Sequence, residues 1–249
     1  MYNWGKDEEL IPEDAGSIVD RPTRAQVKAK KLAYIDRATA PDTKAVLALA
    51  HAASVAGTAR AGRYAGLRQK PFPSHVALMI LVAGFCGLRQ GELFELRGGD
   101  VDKDVLHVRR QVVALRGGGF RVTPPKYDSK RDTFVPVRVG TFPLRKMLAA
   151  RAAAVGPDGL LFPAPNGGWN RRNNFHRDVF SPLRDMAWPG SQWVFHGLRH
   201  HFCRWHLDAG VSAADVADMA GHKDPSVTLT LYVSRNEGFA KRVAAKHRK

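Results

Sequence analysis

The chain has 249 residues, 44% of them hydrophobic, with 39 Lys+Arg against 23 Asp+Glu and a formal charge of +16, which makes it a strongly basic protein with ample material for a core. Its longest apolar run, Val76 to Cys86, falls short of the roughly 20 residues of a membrane span, and no hydrophobic signal region follows Met1, so a cytoplasmic protein with no membrane partner is expected. Two cysteines exclude a disulfide framework, and the lack of a Walker phosphate loop, a dinucleotide fingerprint or a paired CxxC argues against ATP, NAD and structural zinc.

Residues 1–20 hold one Lys and six acidic residues, net −5, which leaves +21 on the other 229. Such an excess marks a polyanion partner, because each phosphate neutralised by Lys or Arg releases condensed counterions; nucleic acid is favoured over an anionic membrane. Met1 to about Ala40 is polar and broken by Pro12, Gly16 and Pro22, one short helix and then a linker. From Asp42 to Ala53, Val46, Leu47, Leu49, Ala50 and Ala53 fall at helical spacing, with Asp42 placed to cap the start. Gly57 to Gly66 is a small-residue loop carrying Arg60 and Arg63. Ser74 opens a strongly apolar helix, Val76 to Phe85, that ends at Gly87, and a second helix, Gln90 to Leu96, follows at once. Arg89 stands at their junction, where it either snorkels or presents a rigid guanidinium beside a cleft, held by Glu92 or Glu95.

After Asp100 the period changes. Val105 to Leu115 alternates as a strand, Gly117 to Gly119 turns, and Phe120–Thr123 and Thr133–Val137 are two further strands of a small antiparallel meander. The connection Lys126-Tyr127-Asp128-Ser129-Lys130-Arg131 presents several cations at its tip, either a solvated turn or a phosphate-reaching finger. From Thr141 the pattern is helical again, with faces at Leu144, Met147, Leu148 and Ala152, then at Phe175, Val179, Leu183 and Met186, then at Leu198, Phe202 and Trp205. The expected fold class is α+β, mostly α, with a small three-stranded antiparallel sheet.

Singly, Arg89, His196, Arg199, His222 and Tyr232 are unremarkable. Together they stand in an ordered grammar: Gly87-Leu88-Arg89-Gln90-Gly91-Glu92-Leu93, then His196-Gly197-Leu198-Arg199-His200, then Gly221-His222, then Tyr232 ten positions on. This pattern resembles the tyrosine recombinases of the phage-integrase family, in the style of actinobacterial phages and integrative elements, over roughly Tyr34 to Tyr232. The resemblance implies that Arg89 and Arg199 grip the nonbridging oxygens of the scissile phosphate and that Tyr232 is the nucleophile. It implies that His196 and His222 hydrogen-bond the phosphate and manage protons, and that Lys126 protonates the departing 5′ oxygen. No cofactor and no metal is implied. The resemblance implies double-stranded DNA at attachment sites as the partner, and a homotetramer formed through the C-terminal segment.

Elementary chemistry fits those roles. In-line displacement at a phosphodiester builds charge on the equatorial oxygens, which fixed guanidiniums stabilise. A phenol with a pKa near 10 needs help losing its proton and the leaving alkoxide needs one supplied, tasks for His and Lys. A phosphotyrosine keeps the bond energy, so another strand's 5′ hydroxyl can reverse the attack. His196 and Arg199, three apart at a helix start, share a face. His222 follows Gly221, a C-cap after the helix Ala213–Ala220, and Asp224 and Pro225 open the helix that carries Tyr232.

Three departures stand out. Tyr127 follows Lys126 where the family commonly has a small residue, which leaves Lys130 as a rival for the finger position. His200, His201 and His206 suggest a metal site, but Arg199 lies among them and no clustered acid or thiol supports it. Only residues 1–33 resemble the last helix and linker of the helical domain that usually completes a clamp around the duplex, ahead of a catalytic domain at 34–235 and a basic segment at 236–249. A weakened, non-catalytic DNA-binding remnant is therefore the alternative to a site-specific recombinase.

Overall fold

The computed structural model describes residues 40–56, 72–223 and 228. In chain order its helices are α1 (Thr43–Ala56), α2 (Val76–Cys86), α3 (Gln90–Glu95), α4 (Leu144–Val155), α5 (Arg172–Phe175), α6 (Ser181–Ala187), α7 (Gly197–Asp208) and α8 (Ala213–Ala220). The strands are β1 (Val101–Asp102), β2 (Val105–Val108), β3 (Gln111–Ala114), β4 (Phe120–Thr123) and β5 (Arg131–Phe134). Among the described residues no helix is long and apolar enough to cross a membrane.

α2 is the centre. All eleven of its residues are buried, as a helix apolar on every side must be, and α1 and α7 pack against it. α1 begins where Asp42 Oδ1 accepts a hydrogen bond from the Ala45 amide at 2.8 Å, which satisfies one orphan donor of the first turn. α2 ends at Gly87, whose left-handed φ of 72° suits glycine, and a Cβ there would stand 2.4 Å from the Phe202 ring. That close approach brings the residues after α2 against α7. His201 of α7 locks the three helices: its Nδ1 donates to the Gly84 carbonyl at 2.8 Å, and its Nε2 accepts from the Thr43 hydroxyl at 3.1 Å. The carbonyl only accepts, so Nδ1 carries the proton.

The α+β class, mostly helical, holds, but the sheet differs in detail from the expected meander. The expected strand Val105–Leu115 is broken at Arg109–Arg110 into β2 and β3. β2 joins the three-stranded antiparallel sheet β1-β2-β5, while β3 pairs only with β4, Gln111 opposite Thr123. Two adjacent arginines explain the break, because each is tied to a different element. Arg109 donates to the Arg131 carbonyl and to Asp132 on β5, whereas Arg110 makes a two-pronged contact with Asp100. The last strand begins at Arg131, two residues earlier than the pattern predicts, and ends at Phe134. Thr133 Oγ1 donates to the Cys86 carbonyl at 2.9 Å, pinning β5 to the end of α2. The Phe175–Met186 face is also interrupted: α5 and α6 are joined by a π-helical turn, His176–Phe180, with Pro182 unable to continue the regular ladder.

Candidate active site

Arg89 caps α3 from the junction with α2. Its backbone amide donates to Glu92 Oε2 at 2.7 Å and its Nη1 to Glu92 Oε1 at 2.8 Å. Nη1 also reaches Ser129 Oγ at 3.0 Å, and Nη2 donates to the Gly221 carbonyl. Of the two glutamates offered by the sequence, Glu92 therefore holds this arginine. Glu92 has 1% of its surface exposed and is gripped from its other side by Arg131, through parallel bonds of 3.0 and 2.7 Å to the two carboxylate oxygens, the fork geometry that makes Arg–carboxylate pairs specific. Burial pushes the Glu92 carboxyl up. The Arg131 hydrogen bonds and charge, with Arg89 and Arg199 behind them, outweigh burial and hold it at about 2.

Arg131 ties three segments together. Besides Glu92 it donates through Nε to the Met219 carbonyl of α8 at 2.8 Å and through Nη1 to the Ser129 carbonyl of the preceding turn. Gly221 ends α8 at a left-handed φ of 67°, and a Cβ there would lie 2.9 Å from Arg131 Cδ; glycine lets the guanidinium pass and delivers the next residue, His222. Arg199, 3% exposed, donates Nη1 to the Gly87 carbonyl at 2.7 Å. Burial, then repulsion by Arg89 and Arg131, lowers its guanidinium to about 9, which leaves it charged at neutral pH.

The two histidines converge on these cations. Burial first, then Arg199, Arg89, His200 and His196, depress His222 to about 3, and its Nδ1 meets the buried Thr228 hydroxyl at 2.8 Å. His196 precedes α7 with its ring edge-on to His200 at 4.9 Å. Its ring opens on a concavity of about 400 Å³ shared with Arg89, Arg172 and Asn170. Protein packed behind the ring and the charges of His200, Arg199 and Arg89 hold it below the usual imidazole range, and water entering from the open side screens part of that effect. Both rings are neutral at pH 7.

The structure thus brings Arg89, His196, Arg199 and His222 together. Lys126 sits exposed on the turn Lys126–Asp128, whose Lys126 carbonyl accepts from the same Ser129 hydroxyl that binds Arg89. Lys130, its rival, pairs with Asp128 at 3.3 Å. Tyr232, Asp224, Pro225, residues 1–33 and residues 236–249 lie outside the described residues. His200, His201 and His206 do not converge: His200 faces His196, His201 is spent on Gly84 and Thr43, and His206 packs against Phe202 and Trp205. Arg131 is a correction, since it stands buried at the start of β5 and not among the cations at the turn's tip. The signal was present: Arg131, Thr133 and Val135 share one strand parity, and all three are buried. Ser129 and Arg172 were also missed, and short polar contacts of that kind leave no periodic trace.

The family model described as the phage integrase family matches residues 63–238. The chain belongs to the phage integrase family. Two Mycobacterium tuberculosis proteins named as prophage phiRv2 integrases, from CDC 1551 / Oshkosh and H37Rv, are each 30% identical to it over 182 residues, 71% of this chain and 47% of theirs. The chain spans about half the length of these curated relatives. Among solved structures of integrases and recombinases, the Tn1549 transposon integrase with a circular intermediate DNA matches with a TM-score of 0.57 at 17% identity, over 97% of this chain and 69% of that one. XerA recombinase matches with 0.56 at 18% identity, over 85% and 64%, and a lambda integrase dimer on a core site with 0.52 at 16%, over 80% and 60%. At these identities the likeness is one of fold, and the integrase-family fold is what the sequence pattern implied.

Proposed function

We propose that this chain is a site-specific DNA recombinase that cuts and rejoins strands through a covalent 3′-phosphotyrosine at Tyr232, in the integration or excision of a mobile element. The observation that carries the reading is a surplus of buried charge. Arg89 and Arg131 pair with one carboxylate, Glu92, and Arg199 stands near enough to feel all three charges while it bonds only to the Gly87 carbonyl, so the cluster is left with two positive charges. Uncompensated charge out of water is costly, and a backbone phosphate supplies the missing anion.

Arg89, with 19% of its side chain open to solvent, and Arg199 grip the nonbridging oxygens, already aimed before the substrate arrives. The Tyr232 hydroxyl gives its proton to a neutral imidazole of the His196–His222 pair as its oxygen attacks phosphorus in line and the P–O5′ bond breaks, and the 5′ oxygen takes a proton from Lys126. In the return step a 5′ hydroxyl gives its proton to the Lys126 amine as it attacks the phosphotyrosine, and the released phenolate takes its proton back from the imidazolium. His196 and His222, neutral at working pH, accept or donate single hydrogen bonds without adding a repelling charge beside the arginines. Thr228, whose hydroxyl meets His222 Nδ1, stands four residues before Tyr232 in the sequence. On this reading the protein is cytoplasmic, residues 34–235 form the catalytic domain, and the basic segment 236–249 holds a homotetramer on two duplexes.

The test is incubation with nicked duplexes taken from the DNA bordering the gene. An SDS-resistant protein–DNA adduct that disappears in Tyr232→Phe is expected. Binding without any adduct would instead make the chain a non-catalytic DNA-binding remnant, and relaxation of supercoils with no exchange between duplexes would make it a topoisomerase.

A further inference from the structure

Tyr127 is 63% exposed, and both it and Asp128 hold left-handed backbone, φ 65° and 50°. Glycine or asparagine adopts that conformation freely, whereas a large L side chain is disfavoured there. An aromatic residue that accepts this cost without burying its ring contributes nothing to packing, and such outliers cluster where a site needs them. The turn is held firmly: the Asp128 amide donates to the Pro125 carbonyl at 2.9 Å, and the Lys130 amide to the Asp128 carbonyl at 2.8 Å. Ser129 Oγ donates to the Lys126 carbonyl and accepts from Arg89, both at 3.0 Å. The backbone that carries the ring is thereby fixed relative to the guanidinium proposed to bind the phosphate.

Two ammonium groups from different segments approach this ring, Lys126 Nζ at 4.9 Å and Lys223 Nζ at 5.6 Å from its centre. Beside it opens a concavity of about 440 Å³ whose lining sets Lys130, Arg131 and Lys223 against one carboxylate, Asp218, with Tyr127 and His222 at its wall, of the size that takes a nucleotide-sized group. An exposed ring beside a cationic hollow is the combination that holds unstacked bases, the ring taking the π-face and the cations the backbone.

We infer that Tyr127 is a stacking platform for a nucleobase displaced from the duplex next to the phosphate held by Arg89 and Arg199, with Lys126 leaving the ring for the departing 5′ oxygen and Lys223 for a flanking phosphate. The inference rests on the recombinase reading. It gives the chain a specificity determinant: DNA whose bases unstack easily at the cleavage step binds better than stiff DNA.

The experiment uses the full chain carrying Tyr232→Phe, so that no strand is cut, and two short duplexes of one sequence. One is fully paired and the other carries a central 2-aminopurine opposite an abasic site. Expected is a preference of roughly five- to hundredfold for the unpaired base, with quenched 2-aminopurine fluorescence. Tyr127→Phe keeps both signals. Tyr127→Leu, and Tyr127→Asn, which relieves the backbone, lose both. A preference that survives in the Leu and Asn variants, or none in the parent, overturns the stacking role. Equal binding of the two duplexes by the Tyr232→Phe chain, where the chain that keeps Tyr232 forms its adduct on nicked DNA, fails this inference alone, while neither binding by the first nor adduct by the second fails the recombinase reading beneath it.

Discussion

Glu92 and Glu95 lie three apart on the same short helix, each 1% exposed and each facing arginines, yet they sit in regions of opposite character. Around Glu95 the charges close. Its Oε1 takes Arg97 at 2.9 Å and Arg110 at 3.5 Å, its Oε2 takes the Trp169 indole, and Asp100 takes Arg110 a second time. Two carboxylates meet two guanidiniums, and nothing is left for a ligand. Around Glu92 two guanidiniums meet one carboxylate, and a third, that of Arg199, stands behind them without a carboxylate of its own among the described residues. The same residue type on the same helix is a brace on one side and half of an unfinished site on the other, and the charge balance tells them apart.

Neutralising each carboxyl in turn separates the brace from the site. Glu92→Gln leaves Arg131 and Arg89 without their carboxylate and should cost about 3–5 kcal/mol in urea unfolding. Adduct formation should vanish even at temperatures where the variant is folded, because Arg89 loses its anchor. Glu95→Gln should also destabilise, but its adduct yield should follow the folded fraction. If both variants lose activity only in proportion to folding, the distinction between brace and site fails.

A finer test exchanges guanidinium for ammonium. Arg131→Lys keeps the charge but cannot span both Glu92 oxygens and the Met219 carbonyl together. The turn bearing Lys126, the end of α8 and α3 then lose their common tie. A misplacement on the order of 1 Å slows single-turnover adduct formation by about a hundredfold. Arg110→Lys on the Glu95 side should leave the rate per folded molecule unchanged. Rates that fall equally would show that Arg131 only holds the fold.

How much of this was legible follows from what kind of force places each residue. The helix at Val76, its stop at Gly87, the Asp42 cap and the inward faces at Leu198 and Phe202 were readable because burial and local caps write directly into periodicity. The gathering of Arg89, His196, Arg199 and His222 was readable only as an ordered motif, since no local rule brings positions 89 and 222 together. The break at Arg109–Arg110 was hidden, because Leu106, Val108 and Val112 keep one parity straight through it; only tertiary ion pairs decide where the strand changes partner. Arg131 was misread for the same reason: a cation next to a polar turn looks solvated until its carboxylate, 39 residues earlier, is in view.

Acid separates the two kinds of buried group by pH window. Burial, opposed by the Gly84 hydrogen bond and reinforced by Arg204, depresses His201 in the helical core to about 4, below the ordinary imidazole value near 6.5. The unfolded chain therefore takes up a proton at higher pH than the folded one, so this stability is complete above about pH 6.5 and is lost as pH falls toward 4. Between pH 7 and pH 5 the loss amounts to about 2 kcal/mol. Glu92, held at about 2, has the same sign but a lower window: its contribution survives to the ordinary carboxylate range and is lost only below it. Urea unfolding at pH 7 and pH 5 should show the wild type losing about 2 kcal/mol more than His201→Gln, while both share the later loss below pH 4. If the two proteins lose stability in parallel between pH 7 and pH 5, His201 is not the neutral lock of the core, and the first acid transition belongs to the imidazoles of the cationic cleft.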